Sequence, residues 1–185
     1  NLSLIILLCC SLFFYAHSSS QYLYLILFSI FFNYFLAKKI ITGNIIKKKQ
    51  LFYFGSICNL LILGYFKYTN FIVININSFL STKIHLQNII LPLAISFFTF
   101  QQIAFLSDAL KNKINNFSFL KYALFITFFP QLIAGPIVRY NNIVPQFIKK
   151  KSNKFRHSNF LIGLMLFTLG LSKKVLLADN LAPYV

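Results

Sequence analysis

The chain has 185 residues, 58% of them hydrophobic and 11% charged, with mean hydropathy +0.71. Soluble domains carry about 25% charged residues, so this chain cannot cover its surface with polar groups, which points to lipid as its solvent. The net charge is +16, from 18 Lys and Arg against 2 acids, Asp108 and Asp179. No soluble module is left to bind nucleic acid, and the basic residues read instead as loops held on the cytoplasmic side of a membrane. The expected fold class is all-α: a polytopic transmembrane helical protein with broken or re-entrant helices.

In chain order, residues 2–16 are apolar and uncharged, and no basic residue precedes them as a signal peptide would require. They read as a transmembrane helix whose start is missing. Residues 22–37 form a second span, stopped by Lys38 and Lys39, and 51–66 a third, closed by Lys67. Residues 71–80, "FIVININSFL", are too short to cross alone and read as an interfacial helix or part of a bent span. Residues 86–106, around Pro92, are the longest apolar segment, followed by 120–138 and 160–177. The first residue is Asn1 and the last, Val185, follows an apolar-rich stretch, so 1–185 is expected to be one partial integral-membrane domain, truncated at both ends.

Charge sets an orientation. The connection 38–50 holds five lysines and belongs inside; 107–119, with Lys111 and Lys113, then falls inside as well. A full crossing by 120–138 would put 139–156 outside, although that loop carries Arg139, Lys149, Lys150, Lys151, Lys154 and Arg156. The conflict vanishes if 120–138 enters, breaks at Pro130, Gly135 and Pro136, and returns. A plain crossing with a proline kink is the alternative.

His17, His85 and His157 have no neighbouring Ser, Cys, Asp or Glu at triad or metal spacing, and Cys9, Cys10 and Cys58 form neither a disulfide framework nor a zinc site. What remains is polar groups within apolar runs: Gln101, Gln102, Gln131, Lys173 and Lys174. Such groups face a protein interior or a cavity, or simply bond helix to helix. Arg139 follows the break and is suited to bidentate capture of a carboxylate or phosphate, or else to anchoring at the interface. Lys173 and Asp179 would not meet on one straight helix, although a turn near Ala178 would bring them together.

Three blocks, "LPLAISFFTFQQIAFLSDALK", "FLKYALFITFFPQLIAGPIVRYNNIVPQ" and "GLSKKVLLADNLAPYV", resemble in this order the membrane-bound O-acyltransferase (MBOAT) family. The nearest branch is that of bacterial alginate O-acetylation proteins and their peptidoglycan O-acetyltransferase relatives. The resemblance implies a partial MBOAT fold around a central tunnel in a bacterial inner membrane. It implies transfer of an acetyl group from a cytoplasmic donor, acetyl-CoA or another acyl donor, toward hydroxyls of an extracytoplasmic polysaccharide. No bound cofactor or metal is implied. The lipid bilayer, the polysaccharide acceptor and an extracytoplasmic acetyltransferase partner protein are the expected partners. The family's essential histidine would lie beyond Val185, and none of the three histidines here stands in its motif, so this chain alone is expected to be inactive. Gln101, Gln102, Pro130, Gln131, Gly135, Pro136, Arg139 and Lys173 are the expected tunnel and substrate-positioning residues. A transporter or a non-catalytic assembly subunit would share the broken helices; a downstream frame with a buried histidine would favour the acyltransferase.

Overall fold

A computed structural model describes residues 2–80, 85–86, 89–114, 117–133, 135–136, 138–148 and 155–182. All regular secondary structure among them is helical, as expected where lipid offers the backbone no hydrogen-bond partner. The chain divides into two compact units, Asn1–Pro145 and Gln146–Val185. Three stretches are long and apolar enough to cross a membrane: Leu2–Thr42, Ile45–Leu80 and His157–Leu181.

The first stretch is two helices, α1 (Leu2–Ser19) and α2 (Leu23–Thr42), of 18 and 20 residues. Each is about 27–30 Å long, close to the thickness of a hydrocarbon core. Between them the serine run forms a tight 3₁₀ turn, Ser20–Tyr22, and the Ser19 backbone leaves the helical region (φ −151°, ψ 59°). Gly43 ends α2, and α3 (Ile45–Leu80) begins two residues later. The five lysines of 38–50, expected in a loop, therefore all lie within helix ends, where Lys38 and Lys39 suit the negative pole of α2.

Helix α3 has 36 residues and runs straight through Lys67. The expected closure at Lys67 is corrected, and 71–80 is the last part of this helix. One lysine does not stop a helix that has no proline behind it; Lys67 Nζ lies 5.4 Å from the Tyr68 ring centre. The long span expected at 86–106 is also corrected: helix α4 covers only Ile95–Leu110. Pro92 lacks the N–H a helix would need. The chain turns there instead, with Ile95 N–H donating to the Pro92 carbonyl (3.3 Å) and Ala94 in the left-handed region (φ 56°).

At the far end of α4 the exit is a Schellman cap. Asn112 takes the left-handed position (φ 52°), its N–H donates to the Ala109 carbonyl (3.1 Å), and Lys113 N–H donates to the Asp108 carbonyl (2.9 Å). Helices α2, α3 and α4 pack on one another, and α5 (Phe119–Thr127) packs on α1. Gly55 permits the three-helix seam: a Cβ there would lie 2.8 Å from Leu36 Cδ1 and 2.9 Å from Leu106 Cδ1. Small residues at such crossings let helices approach without a hydrophobic driving force.

In the second unit, α8 (His157–Lys173) continues through a π-helical turn, Lys174–Ala178, into α9 (Asp179–Leu181). Lys173 and Lys174 do not interrupt it. The wider turn brings residues five apart together, and Lys174 Nζ lies 2.8 Å from Asp179 Oδ2. Lys173 would have reached Asp179 only through a turn near Ala178; the π register pairs Asp179 with Lys174 instead.

Candidate functional site

The segment 120–138 is broken, and the break comes earlier than the prolines themselves. Helix α5 has nine residues and ends at Thr127; Phe128 is non-helical (φ −53°, ψ 103°). Pro130 has no N–H for the Ile126 carbonyl and its ring would collide with that carbonyl, so the helix stops two residues ahead of it. Pro130 then sits in the first turn of α6 (Phe129–Leu132), where its fixed φ is suited to starting a helix. Nine residues reach about 14 Å, half of a hydrocarbon core of about 30 Å. The backbone therefore unwinds well short of a full crossing.

Breaking α5 deprives its last carbonyls of their usual donors. Gln101 of α4 supplies one, its Nε2 donating to the Phe125 carbonyl (3.0 Å). Thr127 Oγ1 adds a second bond to the Ala123 carbonyl (2.9 Å). Gln101 is buried and so is tied to the broken end rather than to a regular neighbour.

After α6 the loop folds on Gln131. The Gly135 N–H donates to the Gln131 carbonyl (3.0 Å), and Gln131 Nε2 donates to the Pro136 carbonyl (2.9 Å). A Cβ on Gly135 would lie 2.5 Å from Gln131 Cγ and 2.7 Å from its Cα and carbonyl oxygen. Gln131 and Gly135 thus form one device that only glycine fits without displacement. The Phe129 ring meets Phe14 of α1 (5.7 Å between centres).

The chain then comes back to where it left. Arg139 Nη1 lies 3.1 Å from Asp108 Oδ1 near the end of α4. In α7 (Tyr140–Ile148), Asn141 Nδ2 donates to the Lys113 carbonyl (2.7 Å), and the Tyr140 ring packs on Phe105 (5.1 Å) and Phe125 (5.5 Å). Lys48 Nζ donates to Asn112 Oδ1 (3.0 Å) at the same cap. The start of α3, the end of α4 and the start of α7 therefore meet at one end of the unit.

Gln102 faces elsewhere. Its Oε1 accepts from Ser29 Oγ (2.7 Å) and Asn33 Nδ2 (2.8 Å), while Asn33 and Asn59 exchange amide bonds of 3.1 and 2.7 Å. The Asn59 Nδ2 also donates to the Gly55 carbonyl (2.7 Å). All four side chains are buried, and the Gln102 Nε2 has no partner among the described residues. Of the expected site residues, Gln101, Pro130, Gln131, Gly135, Pro136 and Arg139 belong to the break and its return. Gln102 belongs to the three-helix seam, and Lys173 lies exposed in the second unit. Sequence reasoning passed over Ser29, Asn33, Asn59 and the Asp108 partner of Arg139. The isolated amides in "FFNYF" and "ICNLL" were the available signal. Among the described residues no group of three His, Cys, Asp or Glu could hold a metal.

The sequence profile of MBOAT, the membrane-bound O-acyltransferase family, matches residues 41–185. The chain belongs to that family. It is 43% identical over 182 residues to the peptidoglycan O-acetyltransferase of Helicobacter pylori, covering 84% of this chain and 34% of that one. It is 33% identical over 160 residues to the probable alginate O-acetylase AlgI of Pseudomonas aeruginosa, covering 82% of this chain and 30% of the relative. A similar protein of Azotobacter vinelandii is 32% identical over 161 residues, covering 82% and 31%. This MBOAT chain therefore spans about a third of the length of these relatives. No solved structure matches it. The broken α5–α6 segment and its return to α4 lie wholly within the part matched to the MBOAT profile.

Proposed function

We propose that the chain is the early membrane portion of an O-acetyltransferase of the bacterial inner membrane, and that peptidoglycan is the acceptor. Higher identity to the peptidoglycan relative, 43% against 33% for the alginate one, favours that acceptor. The reaction moves an acetyl group from a cytoplasmic donor, such as acetyl-CoA, to a polysaccharide hydroxyl on the other face, with an extracytoplasmic partner completing delivery. The acceptor oxygen attacks the donor's acyl carbon, the bond to the thiol leaving group breaks, and the hydroxyl proton passes to a base. None of His17, His85 and His157 is assigned as that base.

The chain's own share is the wall and mouth of the tunnel. The observation that carries this reading is the break at Phe128, in a family whose chemistry must be reached across a membrane. Unwound backbone at membrane depth persists where protein or a wet cavity surrounds it. On this reading 120–138 enters and returns on the cytoplasmic side. The meeting of Lys48, Lys113 and Arg139 at one end of the unit supports it, because the positive-inside rule assigns all three to one face. Gln131 with Gly135 shapes the turn, Gln101 fixes its near edge, and Arg139 stands at its mouth.

The test is loss of the gene encoding the full-length protein, followed by release of base-labile acetate from purified peptidoglycan. We expect acetate to fall to background and to return on complementation. Peptidoglycan acetate unchanged by the deletion defeats the acceptor assignment; acetate lost instead from an exported uronate polymer would assign the alginate class.

A further inference from the structure

Asp108 is one of 2 acids in a chain with 18 Lys and Arg, and its side chain is 6% exposed. Its place is unfavourable for a carboxylate. It lies in the last turn of α4, where the helix dipole repels negative charge, among buried Phe105, Leu106 and Ala109. The ion pair with Arg139 offsets that penalty, yet pairs of this kind are often no more stable than apolar side chains of the same size. Stability alone does not account for it. Nor does membrane anchoring, since an arginine that merely snorkels to an interface needs no buried partner.

The pair is asymmetric. Asp108 is buried, whereas Arg139 is 58% exposed and meets the carboxylate through Nη1. Among the described residues the guanidinium has no second partner, which leaves its other N–H groups available. The backbone beside Arg139 is fixed independently, by Asn141 on the Lys113 carbonyl (2.7 Å). The same cap carries the exposed Lys111 and Lys113, with Lys48 held on Asn112 Oδ1 (3.0 Å). A guanidinium held at one edge and returned to a cap that bears Lys111 and Lys113 and is bonded by Lys48 suits an anion of more than one charge, and guanidinium matches phosphate bidentately.

We propose that Asp108 is a positioning residue that holds Arg139 at the mouth of the loop, and that the free edge of Arg139, with Lys48, Lys111 and Lys113, binds a phosphate-bearing ligand. That this ligand is the acyl donor rests on the function proposed above; a phospholipid headgroup has the same chemistry. The experiment uses the full-length protein in nanodiscs of phosphatidylcholine, with and without phosphatidylglycerol. Coenzyme A affinity and thermal midpoint are measured for Asp108→Asn, Arg139→Gln and the double variant.

Each single substitution should weaken coenzyme A binding about tenfold, and the double should be no weaker than Arg139→Gln alone. The double should also melt above Arg139→Gln, because it leaves no buried unpaired carboxylate; it keeps the test readable if a single variant misfolds. Unchanged coenzyme A affinity, with loss of a wild-type preference for phosphatidylglycerol in both singles, keeps the phosphate site and makes the lipid its source. Affinity and lipid preference both within twofold of wild type in every variant, or effects of the two residues that multiply independently, overturn the proposal. If coenzyme A binds as expected while peptidoglycan acetate is unaffected by gene loss, the function reading fails and the site stands.

Discussion

Gln101 and Gln102 are neighbours in sequence, yet they serve two differently built regions on either side of α4. Gln102 joins Ser29, Asn33 and Asn59 in a seam of three regular helices, where each backbone is already satisfied and the amides bond to one another. Gln101 turns to α5, where a helix is broken and the amide bonds to a backbone carbonyl. Successive helical residues point about 100° apart, so one dipeptide reaches both faces. In the seam, then, side chains hold intact helices in register, whereas at the break a side chain replaces part of a missing turn. On the function proposed above, the seam is scaffold and the break is the working surface.

Substitutions can break or sharpen that contrast. The largest effect is expected from Gly55→Leu, because Leu36 and Leu106 already stand within 3 Å of where a Cβ would go. Overpacking of this kind destabilises by about 1–3 kcal/mol or more, because the ends of both leucine side chains would have to swing aside within the packed seam. The expected outcome is a full-length protein that inserts but elutes as aggregate in detergent. A monodisperse variant with a wild-type midpoint would remove the seam from the scaffold. Asn59→Leu should be milder, about 1–2 kcal/mol, since it removes its own bonds to Gly55 and leaves Asn33 short of its reciprocal partner. A lower thermal midpoint with retained peptidoglycan acetylation per folded molecule is the pattern that marks a scaffold residue. The smallest stability change, about 1 kcal/mol or less, is expected for Gln101→Leu, which strips one bond from the Phe125 carbonyl. Its acetylation should nonetheless fall severalfold. A loss of stability with no loss of acetylation would place Gln101 with the seam.

The class of fold and the existence of the break were legible in the sequence, because a 58% apolar chain with two prolines and a glycine inside one apolar run admits few other readings. The position of the break was less so. Proline acts on the carbonyl four residues before it, and the helix yielded at Phe128, where no residue signals a stop. The run 86–106 misled because hydropathy counts residues and not donors; Pro92 removes the donor that a helix through it would require. The seam was hidden for a different reason. Asn33 and Asn59 look like isolated polar accidents until α2 and α3 are folded against each other. The partner of Arg139 was hidden because Asp108 lies 31 positions earlier, and only the return of the chain brings them together.

The reciprocal amides of Asn33 and Asn59 also bear on how the chain enters a membrane. They are 26 positions apart on two helices joined by a two-residue connection, whereas Gln102 is 69 positions beyond Asn33. As the chain is delivered from its N-terminal side, the two asparagines reach the bilayer well before α4 exists. Each can bond to the other, so the emerging hairpin does not wait in lipid with bare amides. Gln102 arrives later with an acceptor oxygen for a donor already in place, and the order of synthesis matches the order in which the polar groups can be satisfied.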